Sequence, residues 1–243
     1  MDPTLPRRMY LLSLYADDGE PGLGRFRGLL LRAAALTELT VDGRIEGRDG
    51  KAVRKTAAEP PSDPSLAEPP SDPPLAEPPS DLCFAESPSD PFLDDVLSGV
   101  STDEPRHWMT LLQRDAHTAE AAVREQLAAT GVITVRQGKA LGVLPTSKIT
   151  VNTPEEIRAL RERVRNAVML GLDPATAPVD ETAAAVLAAE SEVESVFTLK
   201  ERWKHRKALS ALGAHYDGAV PGLREALRAA VASSRAAGGG WSQ

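Results

Sequence analysis

GLLLRAAALTELTVDGRIEG, residues 28–47, contains the pattern from which the architecture of this chain can be predicted. Apolar residues recur there at helical spacing over most of the circumference, which predicts a helix at the centre of a core. These residues are Leu29, Leu30, Ala33, Leu36, Thr37 and Leu39. Arg32 interrupts them. Because a guanidinium keeps its charge and is costly to bury alone, Arg32 requires an anion, either a phosphate or a carboxylate such as Glu38 or Asp42.

Around this helix the sequence predicts further helices and two hairpins. Residues 41–55 alternate around Asp49-Gly50, a strong turn signal, and residues 132–151 alternate around Gln137-Gly138. Residues 5–15 form a short strand or helix. Helices are expected over 23–40, 104–114, 117–130, 154 to about 169, 179–197, 199–213 and 221–237. The predicted fold class is therefore mainly α: a single compact helical domain, residues 1–243, with two peripheral β-hairpins.

Residues 58–93 are a low-complexity insert of four nine-residue copies, AEPPSDPSL, AEPPSDPPL, AEPPSDLCF and AESPSDPFL. Proline at this density removes amide donors, so the insert is expected to be disordered and solvated. A flexible tail is expected over 238–243. The insert has eight acidic and no basic residues, so the net charge of −7 for the chain leaves +1 for the rest. An acidic insert would compete with an anionic ligand for a basic surface.

Composition and motifs argue against catalysis and metal binding. Cys83 is the single cysteine, which excludes an internal disulfide and a cysteine-based metal site. The four histidines lack ligand spacing, and Gly22, Gly24 and Gly28 lack the spacing of a dinucleotide fingerprint, so these glycines are interpreted as loop. No apolar run approaches the ~20 residues of a spanning helix. We expect a cytoplasmic, non-enzymatic protein without cofactor or metal.

The densest basic segment is LKERWKHRK, residues 199–207. On a helix, Lys200, Trp203, Lys204 and Lys207 would share one face, and an aromatic among cations suits the phosphates of lipid or nucleic acid. A solvated helix face with a half-buried Trp203 is the alternative interpretation, and the sequence favours it.

Several segments, in order along the chain, resemble the Golgi phosphoprotein 3 family of peripheral membrane proteins. Arginine outnumbers lysine 21 to 7, which is typical of GC-rich bacterial genomes, so a bacterial-type member is expected. The matching segments are Leu31-Arg32, Glu38-Leu39, Gly43-Arg44-Ile45, 92–97 (FLDDVL), 107–112 (HWMTLL), 131–134 (GVIT), 163–168, Asp173-Pro174 and Val196-Phe197.

The resemblance implies a shallow pocket for the headgroup of phosphatidylinositol 4-phosphate. In the family this pocket uses a tryptophan, an arginine of the core helix and two basic residues of a later helix. Arg32 matches the helix arginine, whereas Leu23 stands at the tryptophan position. The two later positions fall on His117 and Glu120, so the pocket is incomplete.

Other cations are candidates to complete this headgroup site. Arg25 and Arg27 precede the core helix, and a shifted match on the later helix offers Arg124. In the family the second hairpin inserts into lipid, which makes Arg136, Lys139 and Leu141 the candidate membrane contacts. Inward packing of the apolar hairpin residues is the alternative.

The predicted function is peripheral, non-enzymatic binding of anionic phospholipid or a phosphoinositide, in the cytoplasm or at the inner membrane face. The first alternative is a protein–protein adaptor, which would need a protein partner and an exposed helical groove. The second is a winged-helix-like nucleic-acid binder built on the 41–55 hairpin. The near-neutral body argues against that class, so no nucleic-acid partner is expected.

Overall fold

The computed structural model describes residues 3–14, 26–55, 90–140, 144–171 and 173–238. The candidate residues Leu23, Arg25 and Leu141, nearly all of the 58–93 insert and the last five residues lie outside these ranges. None of the helices in the described ranges is both long and apolar enough to cross a bilayer.

Helices make up most of the described chain, which confirms the mainly α prediction. Within the described residues, five strands form two antiparallel sheets. The helices are α1 Leu5–Leu14, α2 Arg27–Val41, α3 Pro91–Ser98, α4 Trp108–Gln113, α5 Ala116–Ala129, α6 Pro154–Met169, α7 Val179–Glu190, α8 Leu199–Lys204, α9 Arg206–Ala219 and α10 Leu223–Gly238. The strands are β1 Ile45–Arg48, β2 Lys51–Arg54, β3 Arg106–His107, β4 Ile133–Ala140 and β5 Leu144–Val151.

Helix α2 lies at the centre of the core, as its apolar pattern predicts. It packs against α1, α3, α4, α5, α7 and α10. Its residues from Leu29 to Thr37 are buried, and the Thr37 hydroxyl bonds with the Ala33 carbonyl and the Tyr216 hydroxyl, both at 2.7 Å. A winged-helix protein must expose one continuous face of a helix to a groove of DNA. Helix α2, enclosed in this way, has no such face.

The first hairpin confirms the predicted turn. Asp49 and Gly50 have φ values of 51° and 73°, the conformation of a type I′ turn, which matches the twist of the flanking strands. A third strand joins this sheet, since Lys51 pairs with His107 and Ala52 with Arg106. The prediction of a helix from residue 104 is therefore wrong at its start: β-pairing holds these residues extended, and the helix begins at Trp108.

The second hairpin is present, but its predicted turn is wrong. Gln137 pairs with Ser147 and Gly138 with Thr146 within the ladder, so the connection comprises residues 141–143, outside the described ranges. The register is set at the other end, where Ile133 is buried opposite Val151. One face of this end of the hairpin packs on the core. The pairing of Ile133 with Val151 therefore fixes the register of all the other residue pairs along β4 and β5.

Two further helix boundaries differ from prediction. Helix α7 ends at Glu190 rather than continuing to residue 197, because Glu192 adopts a left-handed conformation with φ 57°. The helix expected over 199–213 is broken at His205 into α8 and α9. The two pieces are held differently, α8 by polar contacts and α9 by the buried Leu212 and Tyr216.

Candidate functional site

Arg32, the first predicted headgroup ligand, is enclosed by the core. Only 1% of the residue is exposed, and its Nε and Nη2 donate to the Leu111 carbonyl at 3.2 and 3.0 Å. Nη1 lies 3.9 Å from Oδ2 of Asp95, whose side chain is 66% exposed in the middle of α3. Burial lowers the pKa of Arg32, and Asp95 and Asp115 oppose that shift. Arg32 thus ties α2 to α4 and has almost no surface to offer a ligand.

Neither of the carboxylates expected as internal partners of Arg32 pairs with it. Glu38 accepts a hydrogen bond from the Leu5 amide at 2.7 Å, which fixes the start of α1 on α2. Burial raises the pKa of Glu38 and also that of Asp42. The predicted pairing of Arg32 with Glu38 or Asp42 is therefore wrong, and Asp95 on α3 takes that place.

Arg27 is also buried, at the junction of α1, α2 and α5. Its Nε donates to the Ser13 hydroxyl at 2.9 Å and its Nη2 to the Ser13 carbonyl at 3.3 Å. Its Nη1 lies 2.6 Å from Oε1 of Glu120 on α5. The guanidinium stands 5.6 Å from the centre of the Tyr10 ring. Glu120 therefore occupies the side of Arg27 that a phosphate would need.

Arg124 differs from these two arginines because it is only half-buried. It lies one turn after Glu120 on α5, so the two side chains share a helix face. It is close enough to Tyr10 to lower that residue's pKa, although burial and Glu120 together raise the value to about 12. Among the described residues, no carboxylate pairs with Arg124. His117, at the start of α5, is exposed.

A cleft of about 250 Å³ opens beside Arg32, between α3 and α5, and it is acidic. The carboxylates of Asp95, Asp115 and Glu125 line it, over an apolar floor that includes Phe92 and Ala122. Since the chain places negative charge at the surface in front of Arg32, this cleft favours a cationic group over a phosphate.

The second hairpin carries basic residues away from its packed root. Arg136 and Lys148 are exposed and directly opposite each other on β4 and β5, so their side chains share one face. Lys139 lies opposite Pro145 nearer the connection. Val135 and Ile149 on the other face are partly buried against the core. The apolar residues for which inward packing was the alternative, Leu141, Val143 and Leu144, lie outside the described side chains.

The structure therefore brings together some predicted residues and separates others. Arg27 pairs with Glu120, and Arg124 lies one turn further along α5. Arg32 is buried apart from them and contacts Asp95, which lines the neighbouring acidic cleft. The sequence analysis missed Ser13 and Tyr10 as contacts of Arg27, and no local pattern identifies them because they come from another helix. The sequence places Glu120 at a position that is basic in the family. The spacing of Glu120 and Arg124 was the available signal that their side chains share a helix face. Within the described ranges, no group of three potential ligands could hold a metal ion.

Comparison with known proteins identifies the chain at the level of its family. No functionally curated protein matches it. The sequence model of the Golgi phosphoprotein 3 (GPP34) family matches residues 5–232, nearly the whole length and all the elements from α1 into α10. This chain belongs to the Golgi phosphoprotein 3 family.

Proposed function

We propose that this protein is a non-enzymatic peripheral membrane protein that binds the headgroup of an anionic phospholipid. Phosphoinositides, phosphatidylinositol 4-phosphate in particular, are the headgroups that the family suggests. The observation that carries the proposal is the half-buried Arg124 beside the Arg27–Glu120 pair. It is a cation without a carboxylate partner among the described residues, on a surface that already positions a second guanidinium.

In this proposal Arg124 receives the phosphate and Arg27 positions the site, while Arg32 has a structural role. Among the described residues, Arg27 pairs with Glu120, and Arg124 shares the helix face of Glu120 without pairing with it. A phosphate would approach Arg124 directly and would compete with Glu120 for Arg27. Because a charge-assisted contact to phosphate is worth roughly 1.5–3 kcal/mol, one free arginine supports only modest affinity.

The second hairpin would supply additional attraction to the bilayer. Arg136 and Lys148 form an exposed cationic pair on one face of its ladder. Cations near an anionic membrane surface contribute about 1 kcal/mol each, and salt screens this attraction. Membrane binding through this surface should therefore weaken as ionic strength rises.

Vesicle sedimentation tests the proposal with three compositions: phosphatidylcholine alone, phosphatidylcholine with phosphatidylserine, and phosphatidylcholine with phosphatidylinositol 4-phosphate at matched charge. We expect the protein to pellet with both anionic vesicles and to prefer the phosphoinositide. Arg124→Ala should weaken binding to phosphoinositide vesicles several-fold. Arg158→Ala is the matched control, because Arg158 is exposed on α6 and pairs with Glu155. Equal pelleting with neutral and anionic vesicles at low salt would refute the proposal.

A second function is favoured by the acidic cleft between α3 and α5. Its three carboxylates and its volume suit a lysine or arginine side chain of a protein partner, as the adaptor alternative requires. An adaptor would bind a lysine-rich peptide without lipid, and Glu125→Gln would weaken that binding, whereas Glu155→Gln on α6 would not. Peptide binding that is unchanged by Glu125→Gln would exclude this cleft as the receptor.

A further inference from the structure

The corner between α8 and α9 exposes two large apolar side chains. Leu199 is 70% exposed and Trp203 is 71% exposed. They lie one turn apart on α8 and so share a face. The half-buried position that the sequence favoured for Trp203 is therefore wrong. The solvent exposure of an indole and a leucine side chain needs an explanation, because each forgoes the free energy that burial of its apolar surface would provide.

Four cations belong to the same segment of the chain as these two side chains. Lys200, Lys204, Arg206 and Lys207 are all exposed. The Arg206 guanidinium lies 5.3 Å from the centre of the Trp203 ring and donates to the Trp203 carbonyl at 3.4 Å. We call this surface the α8 corner; it comprises Leu199, Lys200, Trp203, Lys204, Arg206 and Lys207.

Glu201 and Glu192 do not neutralise the α8 corner, because each pairs with an arginine outside it. Glu201 pairs with Arg165 of α6, which holds its pKa down at about 2. Glu192 pairs with Arg202 at 3.5 Å and with Arg235. The corner therefore stays strongly cationic in a chain whose net charge is −7.

The same contacts fix α8 in place. Thr198 and Glu201 form a capping box at its start. Arg165 bridges Glu201 and the Val196 carbonyl, and Arg202 donates to the Ala189 carbonyl at 3.3 Å. The inner face of α8 is thus tied to α6 and α7. Its outer face presents Leu199 and Trp203 without a need for rearrangement, which lowers the entropic cost of binding.

We propose that the α8 corner is a membrane contact that inserts Trp203 and Leu199 at the headgroup level of an anionic bilayer. The inference rests on the proposed membrane function and adds a contact outside the headgroup site. Tryptophan favours the membrane interface, where its ring is buried and its N–H stays hydrated, and the four cations match anionic lipid. A purely polyanionic partner would engage the cations but leave both apolar side chains in water.

Tryptophan fluorescence tests the insertion directly. The chain has three tryptophans, Trp108, Trp203 and Trp241. Trp108 is fully buried, so in a Trp241→Phe background Trp203 is the tryptophan that can report on lipid. In that background we expect brominated lipid in phosphatidylserine vesicles to quench the emission and shift it to the blue. Adding Trp203→Phe should abolish both effects. Absence of quenching while the protein pellets with the vesicles would overturn the inference.

Sedimentation with phosphatidylserine vesicles then separates the contributions. Lys204→Glu/Lys207→Glu should weaken binding about tenfold or more, since each cation near such a surface is worth about fivefold. Arg48→Glu/Lys51→Glu, an equal charge change on the first hairpin, is the control. Leu199→Ala should weaken binding, whereas Leu170→Ala, at a position 67% exposed, should not.

Three outcomes distinguish this inference from the proposed function. If the unmodified protein pellets with no anionic vesicle, both fail. If it pellets and Arg124→Ala reduces binding while the α8 corner variants do not, only the α8 corner is refuted. If the corner variants lose binding to heparin and to duplex DNA as strongly as to vesicles, and Leu199→Ala has no effect, the corner is a polyanion site and the membrane contact is wrong.

Discussion

Buried arginines in this protein are held by backbone carbonyls as well as by carboxylates. Arg32 donates twice to the Leu111 carbonyl, and Arg27 and Arg202 donate to the carbonyls of Ser13 and Ala189. A carbonyl in the core satisfies the guanidinium donors without the cost of burying a second charge. For this reason an arginine in an apolar helix can be a cross-link between elements rather than a binding residue.

Substitution should separate the structural arginine from the proposed ligand. We expect Arg32→Ala to lower the free energy of unfolding by about 3 kcal/mol, because it leaves a cavity and an unsatisfied Leu111 carbonyl. Arg124→Ala should change it by less than about 0.5 kcal/mol, since Arg124 is half-buried and makes no hydrogen bond among the described residues. Urea unfolding followed by circular dichroism measures both. Equal stability of the two variants would contradict the assigned roles.

Helix packing around α2 depends on one close approach to α5. A Cβ atom on Gly28 would lie 2.0 Å from the Ala116 carbonyl oxygen. Gly28 is the second residue of α2, inside the helix expected over 23–40, so its interpretation as loop is wrong. It lets the first turn of α5 pack directly on α2, and that contact also positions Glu120 and Arg124 beside Arg27.

Gly28→Ala should therefore destabilise the protein despite the higher helix propensity of alanine. We expect the free energy of unfolding to fall by roughly 2 kcal/mol. The added methyl group would clash with the backbone of Ala116, which cannot move aside as a flexible side chain can. Gly218→Ala is the control: Gly218 lies within α9 with nothing within 4 Å of its Cβ position, so we expect a gain of up to about 1 kcal/mol. Thermal unfolding of both variants provides the comparison, and a stabilised Gly28→Ala would rule out the close approach.

Across the whole molecule, the repeat insert joins two points that lie near each other. The Lys55 amide donates to the Arg44 carbonyl at 2.9 Å, and the Arg44 guanidinium lies 3.1 Å from Asp94. Asp94 is one turn after Asp90, which caps α3 and is the first described residue after Lys55. A much shorter connection could therefore join β2 to α3.

Deletion of residues 58–84 should leave the fold intact. It removes about four fifths of the chain between Lys55 and Asp90, and loop-closure entropy then favours folding by about 1 kcal/mol. We expect an unchanged circular dichroism spectrum and an equal or slightly higher unfolding temperature. The deletion also removes six acidic residues, so binding to anionic vesicles should rise at low salt and not at high salt. A large loss of stability would show that the repeat contributes to the core.

The sequence predicted local structure well where the residues that determine it lie within a single helix or turn. The apolar pattern of α2, the Asp49-Gly50 turn and the start of α6 at residue 154 all appear as predicted. Errors arose where a distant element decided the outcome. Pairing with β2 made Arg106 and His107 a strand, and burial of Ile133 moved the second turn away from Gln137-Gly138.

Periodicity and turn chemistry thus determined the helical class, the central α2 and both hairpins, because these depend on neighbours within a few residues along the chain. Only the tertiary structure decided which groups surround each charged or aromatic side chain. Leu111 and Asp95 enclose Arg32, Ser13 and Glu120 hold Arg27, and Trp203 stands in water. The energy of a charged or aromatic side chain is set by which distant groups surround it, and residue spacing does not contain that information.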